Sequence, residues 1–179
     1  MNAITFIRQA LTQAHERFMA TLDGLTDADG VWRPAPHANT ILEIAWHVAR
    51  VDDRLGRRAT GLGRELWDSQ GWSDRVGGTD TRPHQPYQFL KASEKALPRL
   101  EDVKAYLEAV QADTLEKLRG LDEAGLDRVP DDAQPDRNVA TYFRHMITHK
   151  NNHHGQIDFI RGLRHPDWNL TPGASIVQH

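Results

Sequence analysis

The sequence contains no cysteine among its 179 residues. A chain without cysteine forms no disulfide, binds no zinc through thiolates and has no cysteine nucleophile. Any bound metal must then be held mainly by His, Asp or Glu side chains. Because disulfides are typical of oxidising compartments, their absence agrees with a reducing one, and we expect a cytoplasmic protein.

The chain also lacks a strong excess of either charge and a long apolar run. Its formal net charge is -3 and its pI is near 6.3, so no overall basic field draws it onto phosphate backbones or anionic lipids. The opening segment MNAITFIRQALTQAHERF has charged residues every few positions, unlike a signal peptide or a membrane span. We therefore expect an amphipathic helix there, and neither nucleic acid nor membrane as a partner.

Apolar residues recur at spacings of three and four in four long segments, which predicts four amphipathic helices. Turn and capping residues separate the segments. The first helix is predicted to end near Gly24, and the second to run from a cap at Asn39 or Thr40 to about Arg58. The third is predicted to have Pro98 in its first turn and to end near Gly120. The fourth is predicted to run from a cap at Asn138 through Leu163.

These helices present apolar stripes and no strand-like alternation, so we expect an all-α fold, a four-helix bundle in which residues 1–179 form a single domain. The stripes expected in the core are Ile7, Leu11, Ala14, Phe18 and Leu22; Ile41, Ile44, Val48, Val51 and Leu55; Leu100, Val103, Leu107, Val110 and Leu118; and Val139, Tyr142, Met146, His149, His153, Ile157, Ile160 and Leu163.

The connection between the second and third helices is long. Residues 61–86 have paired glycines and no clear period, so we expect a loop over one end of the bundle, followed by a short helix over residues 87–96. Such a connection permits a topology other than a simple meander. Trp32, Trp67 and Trp72 lie in connections, and we expect Trp32 to seal the bundle; the other two either seal it or line a pocket. The tail after Pro166 is expected to be irregular.

Histidines four residues apart on the fourth helix, His145, His149 and His153, fall on one flank. The apolar stripe places His149 and His153 where core residues belong. A buried neutral imidazole is costly unless both ring nitrogens find partners, and a metal on one nitrogen with an acceptor on the other meets that need. A hydrogen-bonded pair of core histidines is the alternative. His47 lies beside the stripe of the second helix.

Three histidines from two helices would leave open positions on a metal, an arrangement that catalytic sites use to bind water or substrate. The alternatives are a non-catalytic ion that ties the two helices together and a buried polar cluster without metal. The segments WRPAPHANTILEIAWHVARVDDR and HMITHKNNHHGQIDFIRGL resemble the DinB/YfiT-like superfamily of metal-dependent enzymes. The resemblance implies a four-helix bundle and one divalent metal on His47, His149 and His153, followed by Gly155 and Gln156.

The resemblance further implies a transferase, isomerase or hydrolase that often uses a small thiol such as mycothiol or bacillithiol. We expect a metal-dependent transferase with a small-molecule substrate, zinc or nickel as the ion, and a low-molecular-weight thiol. A metal-dependent hydrolase and a non-catalytic, stress-associated metal-binding protein are the rivals. The superfamily is often dimeric, so a homodimer is also expected. Catalytic residues are not assigned by the sequence.

Five other residues near the histidines have roles that the pattern leaves open. His145 lies at the edge of the core arc and is not required by the family pattern, while His154 points away from the other histidines and favours helix packing or a subunit contact. Gln156 lies on the flank of His149 and could hydrogen-bond a ligand or an adjacent backbone group, or simply lie at the surface. Glu43 and Asp52 could orient His47 or act as a base, and a solvated carboxylate is the expectation for both.

Overall fold

The computed structural model describes residues 1–76, 98–130 and 135–168, which contain eight α-helices and no strand. Four helices are long: α1 (Ala3–Leu22), α3 (Ile41–Thr60), α6 (Leu100–Arg119) and α8 (Val139–Arg164). Four are short: α2 (Asp27–Val31), α4 (Leu66–Ser69), α5 (Trp72–Val76) and α7 (Glu123–Asp127). The all-α prediction is confirmed, and in this part of the chain no helix has the length and hydropathy needed to cross a membrane.

Side-chain caps set the first residues of the two helices that carry the histidines. Thr40, and not Asn39, caps α3: its hydroxyl accepts the Glu43 backbone N–H at 3.1 Å, and the Glu43 carboxylate accepts the Thr40 N–H at 2.7 Å. Asn138 caps α8 as predicted and accepts the Thr141 N–H at 3.0 Å. Both helices therefore begin where local sequence chemistry places them.

Helix α6 begins later than predicted. Arg99 is its N-cap residue, so Pro98 precedes the helix and the prediction of Pro98 in the first turn is wrong. The Leu100 backbone N–H donates to Asp27 Oδ1 at 2.7 Å. A carboxylate of α2, distant in sequence, therefore accepts a hydrogen bond from the first free N–H group of α6. No local sequence pattern reveals a cap of this kind.

Helix α3 packs against α6 on one side and α8 on the other, while α1 packs against α8 and α6. Arg50 contacts Tyr106, and further along both helices a Cβ at Gly56 would lie 3.1 Å from the Thr114 hydroxyl oxygen. These two pairs show that α3 and α6 run parallel. Two parallel neighbours cannot be joined by a tight turn, so the long connection between them gives the non-meander topology that its length permits.

A layer of buried polar residues divides the apolar core into two clusters. The larger cluster contains Trp46 and Ile157, and the smaller one contains Leu11 and Met146. Along each long helix, at least one buried polar side chain lies in sequence between members of the two clusters, and we take one from each helix. These four residues, which we call the polar layer, are His15, Asp52, Gln111 and Lys150.

The connection after α3 is more ordered than predicted. Residues 61–76 include α4 and α5, so the expectation of a loop is wrong for this stretch; the rest of the expected loop and the expected helix over residues 87–96 lie outside the described residues. Asp53 accepts the backbone N–H groups of Leu66 and Trp67, each at 2.9 Å, and thereby caps α4. Trp67 and Trp72 are buried with their ring centroids 5.7 and 5.3 Å from that of Tyr106.

Most of the predicted apolar stripes are buried, with Ile7 and Leu55 only partly so. Leu163 is the exception: it is 53% exposed and follows Phe159, which is 68% exposed, by one turn, so it lies on the outward side of α8 although Arg161 and Arg164 of the same turn contact α1 and α2. Trp32 is partly buried and packs on the larger cluster, in agreement with a sealing role. Residues 165–168 follow α8 without helix, and residues 169–179 of the tail lie outside the described part.

The polar layer gives the fold a pH dependence through His15. Burial, followed by the nearby Lys150 ammonium, lowers the pKa of His15 from 6.5 to about 4, although Glu108 opposes the shift. The unfolded chain takes up this proton near pH 6.5 and the folded chain only near pH 4, so stability is lost as the pH falls through that window. We expect His15→Gln to remove about 1–2 kcal/mol of the stability loss between neutral pH and about pH 5.

Denaturant unfolding of both proteins at the two pH values measures this difference. His37→Gln is the matched control, because His37 is exposed and its replacement leaves the polar layer intact. The same loss of unfolding free energy in wild type and His15→Gln would contradict the prediction.

Candidate metal centre

Three histidine rings converge in the groove between α3 and α8. His149 Nε2 lies 3.0 Å from His47 Nε2 and 3.1 Å from His153 Nε2. All three side chains are half-buried, and they form a group whose ligand atoms lie within 4.8 Å of one another. The sequence prediction that these three histidines meet is borne out by the geometry.

The antiparallel packing of α3 and α8 creates this convergence. His47 on α3 faces His153, and one turn further along α3 Asp52 faces Lys150, which precedes His153 on α8. Residues four apart on a helix lie on one face, so His149 and His153 reach the same point from α8 while His47 reaches it from α3.

The protonation states of the rings suit a cation. Burial, followed by the fields of His153 and His47, lowers the pKa of His149 to about 2. Burial also lowers the pKa of His153, whose Nδ1 lies 2.7 Å from Gln156 Oε1. An amide oxygen only accepts, so His153 Nδ1 carries the hydrogen and its Nε2 presents a lone pair to the other two rings.

The donor set fits a divalent ion. Two nitrogens that bind one ion at about 2.1 Å lie about 3.0–3.4 Å apart for coordination angles between about 90° and the tetrahedral value, and the measured separations fall in this range. Neutral imidazoles whose lone pairs converge repel one another unless a proton or a cation lies between them. Gln156 holds His153 in the required tautomer, as partners of ligand histidines do in metal sites. His149 Nδ1 has no such partner in the described ranges.

Two further histidines lie outside this group, as the sequence suggested. The His145 ring stacks on that of His149 with centroids 5.5 Å apart and planes at 21°. His154 points elsewhere, and its Nε2 is 3.3 Å from Asp158 Oδ2 on the next turn of α8. Gln156 hydrogen-bonds His153, one of the three predicted ligands, which is one of the roles that its position on this flank allowed.

Residues 10–157 match the sequence model of the family described as the DinB superfamily. The chain belongs to the DinB superfamily. The match includes His47, His149, His153 and Gln156, so the whole candidate centre falls inside the DinB region. No curated protein matches the chain.

Two solved structures share the DinB-like fold. A conserved protein from Enterococcus faecalis is 24% identical with a TM-score of 0.75, and the alignment covers 91% of this chain and 97% of that one. A DinB-like protein from Bacillus cereus is 19% identical with a TM-score of 0.65, and the alignment covers 93% of this chain and 94% of that one. At these identities the likeness shows the fold alone, and the centre must be argued from this chain's own residues.

Sequence reasoning missed the charged neighbours of this DinB-like centre. Asp52 and Glu43 are each 1% exposed, so the expectation of solvated carboxylates is wrong. Lys150 Nζ lies 2.8 Å from Asp52 Oδ2 and donates to Gln111 Oε1 at 3.0 Å, and Glu43 pairs with Arg33 at 2.8 Å. A signal for Lys150 was present, because its spacing from Met146 and Ile157 places it on the apolar stripe of α8.

Gln156 should control the metal affinity of this centre. Gln156→Ala removes the acceptor that holds His153 in its ligand tautomer, and we expect the affinity for a divalent ion to fall by about 10–100-fold. Competition with a chromophoric chelator measures the change. Asn152→Ala is the control, because Asn152 is exposed on the same helix. An affinity for Gln156→Ala equal to that of the control would show that the hydrogen bond does not serve the centre.

Proposed function

We propose that this DinB-superfamily chain is a metal-dependent enzyme, a transferase that uses a small thiol, with one divalent ion held by His47, His149 and His153. The observation that carries the proposal is the convergence of three histidine Nε2 atoms in the groove between α3 and α8, with that of His149 lying 3.0 Å from His47 and 3.1 Å from His153. Zinc and nickel are the ions that we favour, because imidazole nitrogen suits both.

A cavity beside the histidines favours catalysis over a purely structural ion. It has a volume of about 570 Å³, and His145, which stacks on His149, forms part of its wall. Structural metal sites are closed, whereas catalytic sites keep a position open to solvent or substrate. The three ligand histidines are not among the lining residues, and His145 links them to the cavity; three protein ligands with a cavity next to them therefore fit a site that admits a small molecule.

The residues of the chain supply the metal ligands, orient their imidazole rings and keep the His149 ring neutral. A divalent ion at such a centre acts as a Lewis acid that lowers the pKa of a water or thiol reaching it. Burial keeps His149 neutral, Gln156 orients His153, and the half-buried groove limits the access of bulk water. Because the chain has no cysteine, any thiol nucleophile must come from a second small molecule.

The first test is metal content. Protein purified without a nickel column should contain about one divalent ion per chain, and the double variant His47→Ala, His149→Ala should contain almost none, because one remaining imidazole binds an ion weakly. The double variant His145→Ala, His154→Ala is the control, since it also loses two histidines but keeps the three converging nitrogens. Elemental analysis measures all three proteins. A parent that holds no ion even after reconstitution would exclude the metal centre.

The second test separates the reaction classes. With the metal-loaded parent, we expect a small thiol and a soluble electrophile to be consumed together, about 100-fold faster than with the His47→Ala, His149→Ala variant. Loss of free thiol measures this reaction, and release of nitrophenol from a nitrophenyl ester measures hydrolysis. Hydrolysis without thiol transfer would replace the transferase by the hydrolase. Activity in neither assay, with stability that depends on the ion, would favour a non-catalytic metal-binding protein.

A further inference from the structure

The cavity beside the metal centre is rich in arginine. It lies between α3 and α8, and its volume of about 570 Å³ is within the range of about 300–1,000 Å³ that small-molecule sites occupy. Four guanidinium groups line it, two from α3, one from the segment before α8 and one from α8. These residues, which together with their cavity we call the arginine cavity, are Arg54, Arg58, Arg137 and Arg144.

The arginines of this cavity lack the ion-pair partners that several other arginines of the described chain have. Arg33 pairs with Glu43 at 2.8 Å, and even the exposed Arg99 pairs with Asp102 at 2.9 Å. In contrast, within residues 1–76, 98–130 and 135–168 none of the four cavity arginines has an ion pair or a side-chain hydrogen bond. Among the described residues of its wall, Asp136 is the one that carries a carboxylate.

The described wall therefore has four guanidinium groups and one carboxylate, an excess of positive charge, although the chain as a whole carries a net charge of -3. Arginine forks match the geometry of carboxylate and phosphate and bind both through paired hydrogen bonds. Like charges held in one concave space repel one another, and an oxyanion relieves that repulsion. The remaining wall, which includes Val51, Leu55 and Tyr142, offers apolar contact for the rest of a ligand.

The cavity and the histidines lie along one groove. His145 belongs to both, because it lines the cavity and stacks on His149. At a rise of about 1.5 Å per residue, His145 lies about 6 Å along α8 from His149, and Arg54 lies about 10 Å along α3 from His47. A molecule whose anionic group and reacting atom are separated by about 6–10 Å would therefore span the two.

We propose that the arginine cavity binds the oxyanion end, a carboxylate or a phosphate, of a small molecule whose other end reaches the three histidines. The first half of the statement stands on the cavity alone, and the second half rests on the proposed function. Both ligand types present a pair of terminal anionic oxygens that accept hydrogen bonds from a guanidinium fork, and the two probes below distinguish carboxylate from phosphate.

The test measures binding of inorganic phosphate and of succinate to the full-length protein by calorimetry at low ionic strength. We expect saturable binding of at least one probe, weakened about tenfold or more in the double variant Arg54→Gln, Arg144→Gln, which removes one guanidinium from each wall. The control Arg8→Gln, Arg64→Gln removes the same charge from exposed positions outside the cavity and should change affinity less than about twofold.

Each outcome decides the proposal. Binding of phosphate alone assigns a phosphorylated ligand, binding of succinate alone a carboxylate ligand, and binding of both a general oxyanion site. No saturable binding of either probe, or equal weakening in variant and control, would overturn the site. Because Arg54 is partly buried, the exposed single variant Arg144→Gln is measured as well, with helix content and unfolding temperature checked for all variants.

The variant His47→Ala, His149→Ala separates this site from the metal centre. It should bind the oxyanion as the parent does, because the four guanidinium groups remain. If it loses oxyanion binding while the parent retains it, the anion sits at the histidines and the arginine cavity is refuted. If the parent holds no metal but binds the oxyanion through its arginines, the proposed function fails and the arginine cavity stands.

Discussion

The buried ammonium of Lys150 constrains how the long helices meet. The side chain is 2% exposed, and its ammonium forms an ion pair with Asp52 on α3 and donates a hydrogen bond to Gln111 on α6. Removing one partner of such a pair leaves an uncompensated buried charge, at a cost of about 3–5 kcal/mol. Rotation of α8 about its axis would break both contacts. Lys150 follows His149 directly, so the rotation of α8 that satisfies the ammonium also turns His149 and His153 toward His47.

The polar layer also sets the charge state around the metal centre. The Lys150 ammonium contributes to lowering the pKa of His149 and of His15, and it thereby helps keep both imidazoles neutral. The Asp52 carboxylate acts on His153 in the opposite direction, although burial outweighs it and the pKa of His153 is lowered. Neutral imidazole is the form that binds a metal ion. One buried ion pair thus holds the helices in register and favours the ligand form of His149.

The sequence predicted the parts that depend on a single helix. Helix periods, the caps at Thr40 and Asn138, and the convergence of His149 and His153 all follow from spacing along one element. The predictions that were wrong depend on which faces of different helices meet. They concern Asp52, which is buried, the start of α6, which Asp27 caps, and Leu163, which is exposed. The arginine cavity belongs to this second class, since Arg54 and Arg144 look like ordinary solvated residues until α3 and α8 are placed side by side.

The long helices of the described chain form two pairs with different roles. The contacts that α1 and α6 make with their neighbours are mainly those of the core and the polar layer, including the ion pair of His15 with Glu108 at 3.2 Å. The three converging histidines and the four cavity arginines instead lie on α3, on α8 or just before α8. The candidate metal centre and the arginine cavity are neighbours on this antiparallel pair, because His145 lines the cavity and stacks on His149. The proposed metal centre and the proposed oxyanion site therefore both depend on the packing of one pair of helices, which the Asp52–Lys150 ion pair holds together.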